Sequence, residues 1–211
     1  MHLTDAERDV IHMTYIARTN TLSWSPELAT LQRQHARFIN TGMIITLNGC
    51  VVADAIENLK QVSGVGGQFD FVNMAKQLPD ARLIINCRST RETKQGLKSN
   101  IVVQYPTITI PRYLRDIVVT EYGIADLRSK TDSDIIKELL KVTDSRFQEV
   151  LLAEAKSLGK IAADYAIPAA YRNNTPEKIL AAVKILQEMN ACRPFPFGSE
   201  LTADEIRLTK V

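Results

Sequence analysis

Short apolar segments that suit β-strands alternate along this chain with longer segments of helical periodicity. The strand-like segments are residues 38–47, 82–87, 100–105 and 116–120, and the helix-like segments in the second half are residues 132–141, 145–158 and 176–189. Residues 51–56 fit either a strand or a short helix, because periodicity cannot separate the two over so few residues. Interleaving of this kind predicts an α/β domain with a mixed sheet flanked by helices.

The two ends of the chain differ from this central pattern. Residues 4–18 are predicted as a helix that Thr4 caps and that has Glu7 three residues later, and a second helix should run from Ser25–Pro26 to about residue 36. Residues 1–36 are therefore predicted to be a helical lead-in to the same domain. Residues 191–211 contain alternating proline and phenylalanine, which predicts an extended C-terminal tail.

Composition limits the classes of partner. The 26 Lys+Arg against 24 Asp+Glu give a net charge of 26 − 24 = +2, so no strong attraction to nucleic acid or to a membrane surface is expected. The longest uncharged run, residues 38–53, is too short and too polar to span a membrane. Because the N-terminus also lacks a secretory h-region, a cytoplasmic location is expected.

Metal and hydrolase motifs are missing from the sequence. The three cysteines, Cys50, Cys87 and Cys192, form no CxxC pair, which fits a reducing compartment and predicts no metal site. The three histidines all precede residue 36, and neither GxSxG nor HExxH occurs. A serine- or zinc-hydrolase mechanism is therefore not expected.

The densest glycine cluster comprises Gly64, Val65, Gly66, Gly67 and Gln68, directly before a predicted helix. The cluster fails the dinucleotide pattern GxGxxG, because Phe69 stands where the third glycine belongs. Bare backbone at a helix start can present N–H groups to an oxyanion or a phosphate. A tight turn without a ligand is an equally good interpretation of the spacing.

A single carboxylate, Glu121, follows the strand predicted at residues 116–120. Ligands of open α/β sheets bind at the carboxyl ends of strands, so Glu121 is a candidate site residue. The alternative, which spacing alone favours, is that Glu121 pairs structurally with Arg112, Arg115 or Arg128.

Three sequence motifs occur in an order that resembles a known family. They are FINTGM at residues 38–43, SGVGGQFDF at 63–71 and VVTEYGIADLR at 118–128. Together they resemble the C-terminal domain of the acetyl-CoA hydrolase/transferase family, which includes acetate, butyrate and 4-hydroxybutyrate CoA-transferases. The resemblance extends from about residue 37 to the C-terminus, and we predict residues 37–190 to be that domain.

The resemblance implies a CoA-transferase-like α/β fold and a function in acetate metabolism. It implies that coenzyme A takes part as the acyl carrier of the substrate and that no metal is needed. It also implies that acyl or CoA transfer proceeds through a glutamyl-CoA intermediate. Residues 64–68 match the segment that lines the CoA thioester, Asn40 matches the residue that could orient the acyl group, and Glu121 lies in a further family motif. Binding roles for Asn40, Gly64, Val65, Gly66, Gly67, Gln68 and Glu121 are thus implied by the resemblance alone.

The chain departs from the family pattern in one decisive respect. The nucleophilic glutamate of the family lies in a Ser/Thr-Glu-Met-like element, and nothing before Arg37 matches it. The resemblance therefore implies an enzyme portion that is inactive alone, whose partners are acyl-CoA, carboxylate substrates and an N-terminal domain; a homodimer stays open. The alternative is a non-catalytic acyl-CoA-binding or partner-docking module. A smaller departure is Ser129, where the family usually has glycine.

Overall fold

The computed structural model describes residues 3–191, 195 and 198–208. It divides into two compact units, Met1–Asn174 and Thr175–Val211. The division lies upstream of the boundary predicted at residue 190, and the first unit contains all residues of the candidate site.

The described strands and helices are as follows. The strands are β1 (Arg37–Thr41), β2 (Ile44–Thr46), β3 (Val51–Val52), β4 (Ala55–Ile56), β5 (Lys60–Gln61), β6 (Arg82–Asn86), β7 (Thr90–Thr93), β8 (Gly96–Ser99), β9 (Ile101–Val102), β10 (Ile117–Thr120) and β11 (Gly123–Asp126). The helices are α1 (Asp5–Asp9), α2 (Ala17–Asn20), α3 (Pro26–Gln32), α4 (Gln68–Gln77), α5 (Asp132–Lys141), α6 (Ser145–Ser157), α7 (Pro176–Glu188) and α8 (Ala203–Leu208).

The main sheet has the strand order β1-β6-β10-β11. The first three strands are parallel, with Asn40 opposite Ile85 and Val118 opposite Ile85 on the other side. Strands β10 and β11 form an antiparallel hairpin in which Thr120 faces Gly123. The predicted mixed α/β sheet is therefore confirmed, although β11 was not foreseen.

Helices cover this sheet and complete the core. Helix α4 packs on β1 and β6, and α5 packs on β11 and α6. The rings of Phe38 on β1 and Phe71 on α4 stack with their centroids 6.1 Å apart. Full burial of a large apolar side chain is worth about 1.5–3 kcal/mol, and the fully buried residues of the core hold the helices on the sheet. The largest buried members include Ile45, Met74, Leu83, Ile85, Ile135 and Leu139.

The helix predicted over residues 4–18 is wrong in length. The predicted cap forms, since the Glu7 N–H donates to Thr4 Oγ1 at 3.3 Å, but α1 ends at Asp9. Val10 and Met13, which lie beyond that end, are 75% and 95% exposed. An apolar stripe with nothing to pack against gives a helix little tertiary stabilisation, and short helices are marginal without it.

The single strand predicted over residues 38–47 is also wrong, because β1 and β2 belong to different sheets. The chain changes sheet at Gly42, where a Cβ atom would lie 2.7 Å from Val51 Cγ1 and 3.1 Å from Ile85 Cγ2. Only glycine permits this close passage. The ambiguous segment 51–56 contains two strands, β3 and β4, and the strand predicted over 100–105 is limited to β9.

Three smaller predictions have clear outcomes. The polar loop predicted at 89–96 lies in a β7–β8 hairpin, and Ser129 has a φ of +52°, a conformation that suits the glycine of the family pattern. Helix α8 lies in the segment predicted as an extended tail. The proline and phenylalanine residues of that segment lie outside the described residues, apart from Phe195, as does Cys192.

Cys50 and Cys87 are buried free thiols. The described helices include none with the length and apolar character needed to cross a bilayer. Within the same residues, no three His, Cys, Asp or Glu side chains are grouped as a metal would require.

Candidate functional site at the carboxyl edge of the sheet

The three parallel strands β1, β6 and β10 end at one edge of the main sheet, where a cleft opens. The cleft has a volume of about 280 Å³. It is lined by Thr41, Asn86, Cys87, Arg88, Val119, Thr120 and Glu121. Ligands of open α/β sheets bind outside the carboxyl ends of the strands, so the fold itself marks this cleft as a candidate site.

The N-terminus of α4 lies at the same edge. Gln68, the first residue of the helix, is 8% exposed, and its Nε2 donates to the carbonyl oxygen of Thr41 at 3.0 Å. Gly67 occupies the N-cap position and provides no side-chain hydrogen bond. The free N–H groups and the positive end of the helix dipole therefore lie beside the cleft, an arrangement that favours negative charge.

Two side-chain amides at this edge, one of half-buried Asn40 and one of buried Gln68, each have a buried atom without a hydrogen-bond partner. Asn40 Nδ2 and Gln68 Oε1 have no partner among the described residues. Asn40 lies two positions after Phe38 on β1 and therefore faces the same side of the sheet, toward α4. Each unsatisfied buried group costs about 1–3 kcal/mol. One unused donor and one unused acceptor together suit a ligand that supplies the complementary atoms.

The glycines of the 64–68 cluster have two different environments. A Cβ atom on Gly64 or on Gly66 would meet nothing within 4 Å, and Gly66 has a φ of +61°. A Cβ atom on Gly67 would lie only 2.6 Å from Asn20 Nδ2. The bare backbone of Gly67 thus serves the packing of α2 on α4, whereas Gly64 and Gly66 leave open space that a ligand can enter.

Glu121 lies at the tip of the tight β10–β11 hairpin and lines the cleft. Its Oε2 accepts a hydrogen bond from the Ser89 N–H at 2.8 Å. The alternative pairing with an arginine is wrong: Arg112 and Arg115 contact Asp132, and Arg128 contacts Asp126. Those arginines lie beyond the opposite end of β10, so Glu121 faces the cleft with its own negative charge.

A network that the sequence did not reveal holds Glu121 in place. Ser89 Oγ accepts from the Asp144 N–H at 2.7 Å, and Asp144 Oδ2 accepts from the Tyr122 hydroxyl at 2.7 Å. Burial acts to raise the pKa of Asp144, but the hydrogen bonds from Arg146 outweigh it and keep the pKa below its usual value. Burial, followed by the bond to Asp144, raises the pKa of Tyr122. Both groups thus stay in the protonation states that the network needs.

Cys87 lines the cleft without being a nucleophile. Burial, and then the negative charge of Glu121, raise the pKa of its thiol to about 12. Its Sγ–H group donates to the carbonyl oxygen of Arg88, with the sulfur at 3.3 Å. A neutral thiol held in this way is inert at neutral pH. This edge of the sheet therefore offers a carboxylate in the cleft and, beside it at the start of α4, open backbone at Gly64 and Gly66 and two side-chain amides with unused atoms.

The chain is similar to several known proteins. The model of the acetyl-CoA hydrolase/transferase C-terminal domain matches residues 3–155. The 4-hydroxybutyrate coenzyme A transferase of Clostridium kluyveri is 35% identical over 132 residues, which cover 61% of this chain and 30% of that protein. A probable butyrate:acetyl-CoA coenzyme A-transferase of Syntrophomonas wolfei is 32% identical over 57% of this chain and 27% of its own.

A solved structure of a RipA mutant superposes with a TM-score of 0.59 at 26% identity, covering 67% of this chain and 31% of that one. The chain thus spans less than a third of the length of each of these three proteins.

Proposed function

The chain belongs to the family of the acetyl-CoA hydrolase/transferase C-terminal domain, and from this premise we propose that its carboxyl-edge cleft holds the thioester of an acyl-CoA. The reaction would be acyl-CoA hydrolysis or the transfer of CoA between carboxylates, in cytoplasmic acetate metabolism. Residues 1–36 would be part of the same domain, because the family match begins at residue 3. The nucleophilic glutamate would come from an N-terminal domain outside this chain.

The observation that carries the proposal is the pair of unsatisfied amide atoms, Asn40 Nδ2 and Gln68 Oε1. Burying a donor and an acceptor without partners destabilises a fold, and a bound ligand that pairs with both atoms is one physical reason to keep them. An acyl-CoA offers both complements, since its carbonyl oxygens accept and the amide N–H groups of its pantetheine arm donate. A simple structural turn would not require either unsatisfied atom.

The proposed chemistry uses the chain to stabilise charge. The glutamate carboxylate attacks the thioester carbonyl, the C–S bond breaks, and an anhydride and a CoA thiolate form. The thiolate then attacks the glutamyl carbonyl of the anhydride, which releases the first carboxylate and leaves a glutamyl-CoA thioester. An acceptor carboxylate reverses these steps, or water hydrolyses the intermediate. Each addition places negative charge on an oxygen that the backbone amides near Gly66 can stabilise.

Glu121 would act in this site as a fixed negative charge that lines the cleft, and not as the nucleophile. Ser89 and the Asp144 network restrain its carboxylate, whereas a nucleophile that changes from carboxylate to anhydride to thioester must be free to move. From its place in the cleft, Glu121 can repel a misplaced carboxylate or orient an incoming water.

We expect the purified chain, alone, to fold and to show no turnover of acetyl-CoA with an acceptor carboxylate. It buries an apolar core, but the group that must carry the acyl chain is absent from the proposed site. Transfer of CoA and release of free thiol would be followed over time. Turnover that survives Glu121→Gln would reveal a different nucleophile in the chain, and turnover abolished by it would make Glu121 the nucleophile.

Joining the chain to a domain that carries the nucleophilic glutamate distinguishes an enzyme portion from a non-catalytic acyl-CoA-binding or partner-docking module. An enzyme portion should regain turnover, whereas a non-catalytic module should bind acyl-CoA and stay inactive.

We expect Asn40→Ala to lower the activity of the complete enzyme without lowering stability. The Nδ2 atom has no partner to lose among the described residues, and its removal relieves the cost of an unsatisfied buried group, so the free energy of unfolding should stay the same or rise. If the amide contacts substrate, kcat/KM of the complete enzyme should fall by about tenfold or more, the equivalent of one hydrogen bond. Urea unfolding and steady-state kinetics on the same variant test this. A loss of stability with normal kinetics would make Asn40 a structural residue.

A further inference from the structure

A second cleft opens at the opposite, amino edge of the main sheet. It has a volume of about 650 Å³, within the usual range of small-molecule sites. Helix α4 separates the two clefts: Gln68 at its start contacts the carboxyl edge, and Lys76 in its last turn lines the second cleft. Eight residues of helix correspond to about 12 Å, so the second cleft is distinct from the proposed thioester site.

Positive charge dominates this amino-edge cleft. Five cationic side chains from three separate segments line it: Lys76, Arg112, Arg115, Arg128 and Lys130. The carboxylates within ion-pair distance of them are Asp132, Asp126 and Asp116, so the cations exceed the carboxylates by two. Asp132 divides its two oxygens between Arg112 and Arg115, at 3.3 and 3.4 Å, which leaves most guanidinium N–H groups unused.

The most buried of the three arginines is preorganised. The Arg115 side chain is 18% exposed, and its Nη1 donates to the Asn48 carbonyl oxygen at 2.7 Å. Gly49 permits this position, because a Cβ atom there would lie 2.8 Å from Arg115 Cδ. An arginine held in advance loses little conformational entropy when it binds an anion.

One aromatic side chain completes the cleft. Tyr113 lines it and is 77% exposed, with its ring available to solvent. Nucleobases stack on exposed aromatic rings, and arginine N–H groups match phosphate oxygens in bidentate geometry. Cations around an exposed tyrosine therefore fit a ligand with a phosphate chain and a base.

We propose that the amino-edge cleft is a second binding site, for a nucleoside polyphosphate. The phosphate chain would contact Arg112, Arg115 and Lys130, and the base would stack on Tyr113. Arg128 already makes a two-point contact with Asp126, through Nε and Nη2, and would act mainly through its charge.

The test is calorimetric titration of the full chain with ATP and with inorganic triphosphate, at low ionic strength. The double variant Arg112→Ala/Lys130→Ala should weaken binding of both anions by about tenfold or more, because two charge-assisted contacts are lost. The matched control is Lys60→Ala/Lys94→Ala, which removes the same charge from exposed positions outside this cleft and should bind as the parent chain does.

The variant Tyr113→Ala distinguishes a nucleotide, whose base can stack on the tyrosine ring, from inorganic triphosphate, which has no base. It should weaken ATP by about fivefold or more, from the loss of stacking, and leave triphosphate unchanged. Equal loss for both ligands would overturn the stacking role. The whole proposal is overturned if neither anion binds at millimolar concentration, or if the control pair weakens binding as much as the cleft pair does.

Discussion

Replacing Gly66 by valine should lower the turnover of the complete acyl-CoA enzyme by about 10²–10³-fold, the usual cost of losing one oxyanion donor. Gly66 has a φ of +61°, a conformation that β-branched residues strongly avoid. The variant must therefore move its backbone, and with it the N–H groups that the proposed pocket aims at the oxyanion. Because a Cβ atom on Gly66 meets nothing within 4 Å, the loss of stability should be only about 1–3 kcal/mol.

Two other glycines provide matched controls. Gly96 also has a positive φ and open surroundings, but it lies in the β7–β8 hairpin, so Gly96→Val should reduce stability and leave turnover intact. Gly64→Ala adds a methyl group into open space without backbone strain. It should fold normally and lose activity only if a ligand occupies that space. Unchanged turnover in Gly66→Val would remove the cluster from the oxyanion pocket.

Asp144→Ala should destabilise the chain by about 2–4 kcal/mol. The side chain is completely buried, and its loss leaves the Tyr122 hydroxyl without its acceptor and the first turn of α6 without its cap. Urea unfolding measures the change. Asp144→Asn keeps one carbonyl oxygen, which can accept at only one of these two places, and should therefore lose less stability than Asp144→Ala. An equal loss in both variants would assign the effect to the charge and the second oxygen.

The contribution of Asp144 should also depend on pH. Its pKa is lower in the folded chain than in the unfolded chain. The stabilisation is therefore fully present above the unfolded value of about 4 and disappears as pH falls through the lower, folded value. The stability difference between the parent chain and Asp144→Asn should accordingly be constant near neutral pH and shrink in acid.

Local patterns were sufficient for helices α5 and α7. They begin after Thr131 and Thr175, whose side chains accept from backbone N–H groups three residues later, and both have the predicted range within one residue. Helix α5 buries an apolar face, whereas α7 has no buried residue. Residues 4–18 carried the same signal, and the cap formed. That helix nevertheless stops at Asp9, and Val10 and Met13 of its predicted continuation are largely exposed.

The sequence by itself determined the α/β class and the family, and it predicted Glu121 as a residue of the candidate site. Only the tertiary structure decided which residues lie around Glu121 and which contacts they make. Glu121 is hydrogen-bonded to Ser89, 32 residues away in the sequence, and Ser89 is hydrogen-bonded to Asp144, 55 residues away. The space beside Gly67 is filled by the side chain of Asn20, whereas the space beside Gly66 is empty. Helix caps and strand alternation act over a few residues and can be read locally. Contacts between distant segments depend on how the sheet and helices pack, and no spacing along the chain encodes that packing in a form that can be read in advance.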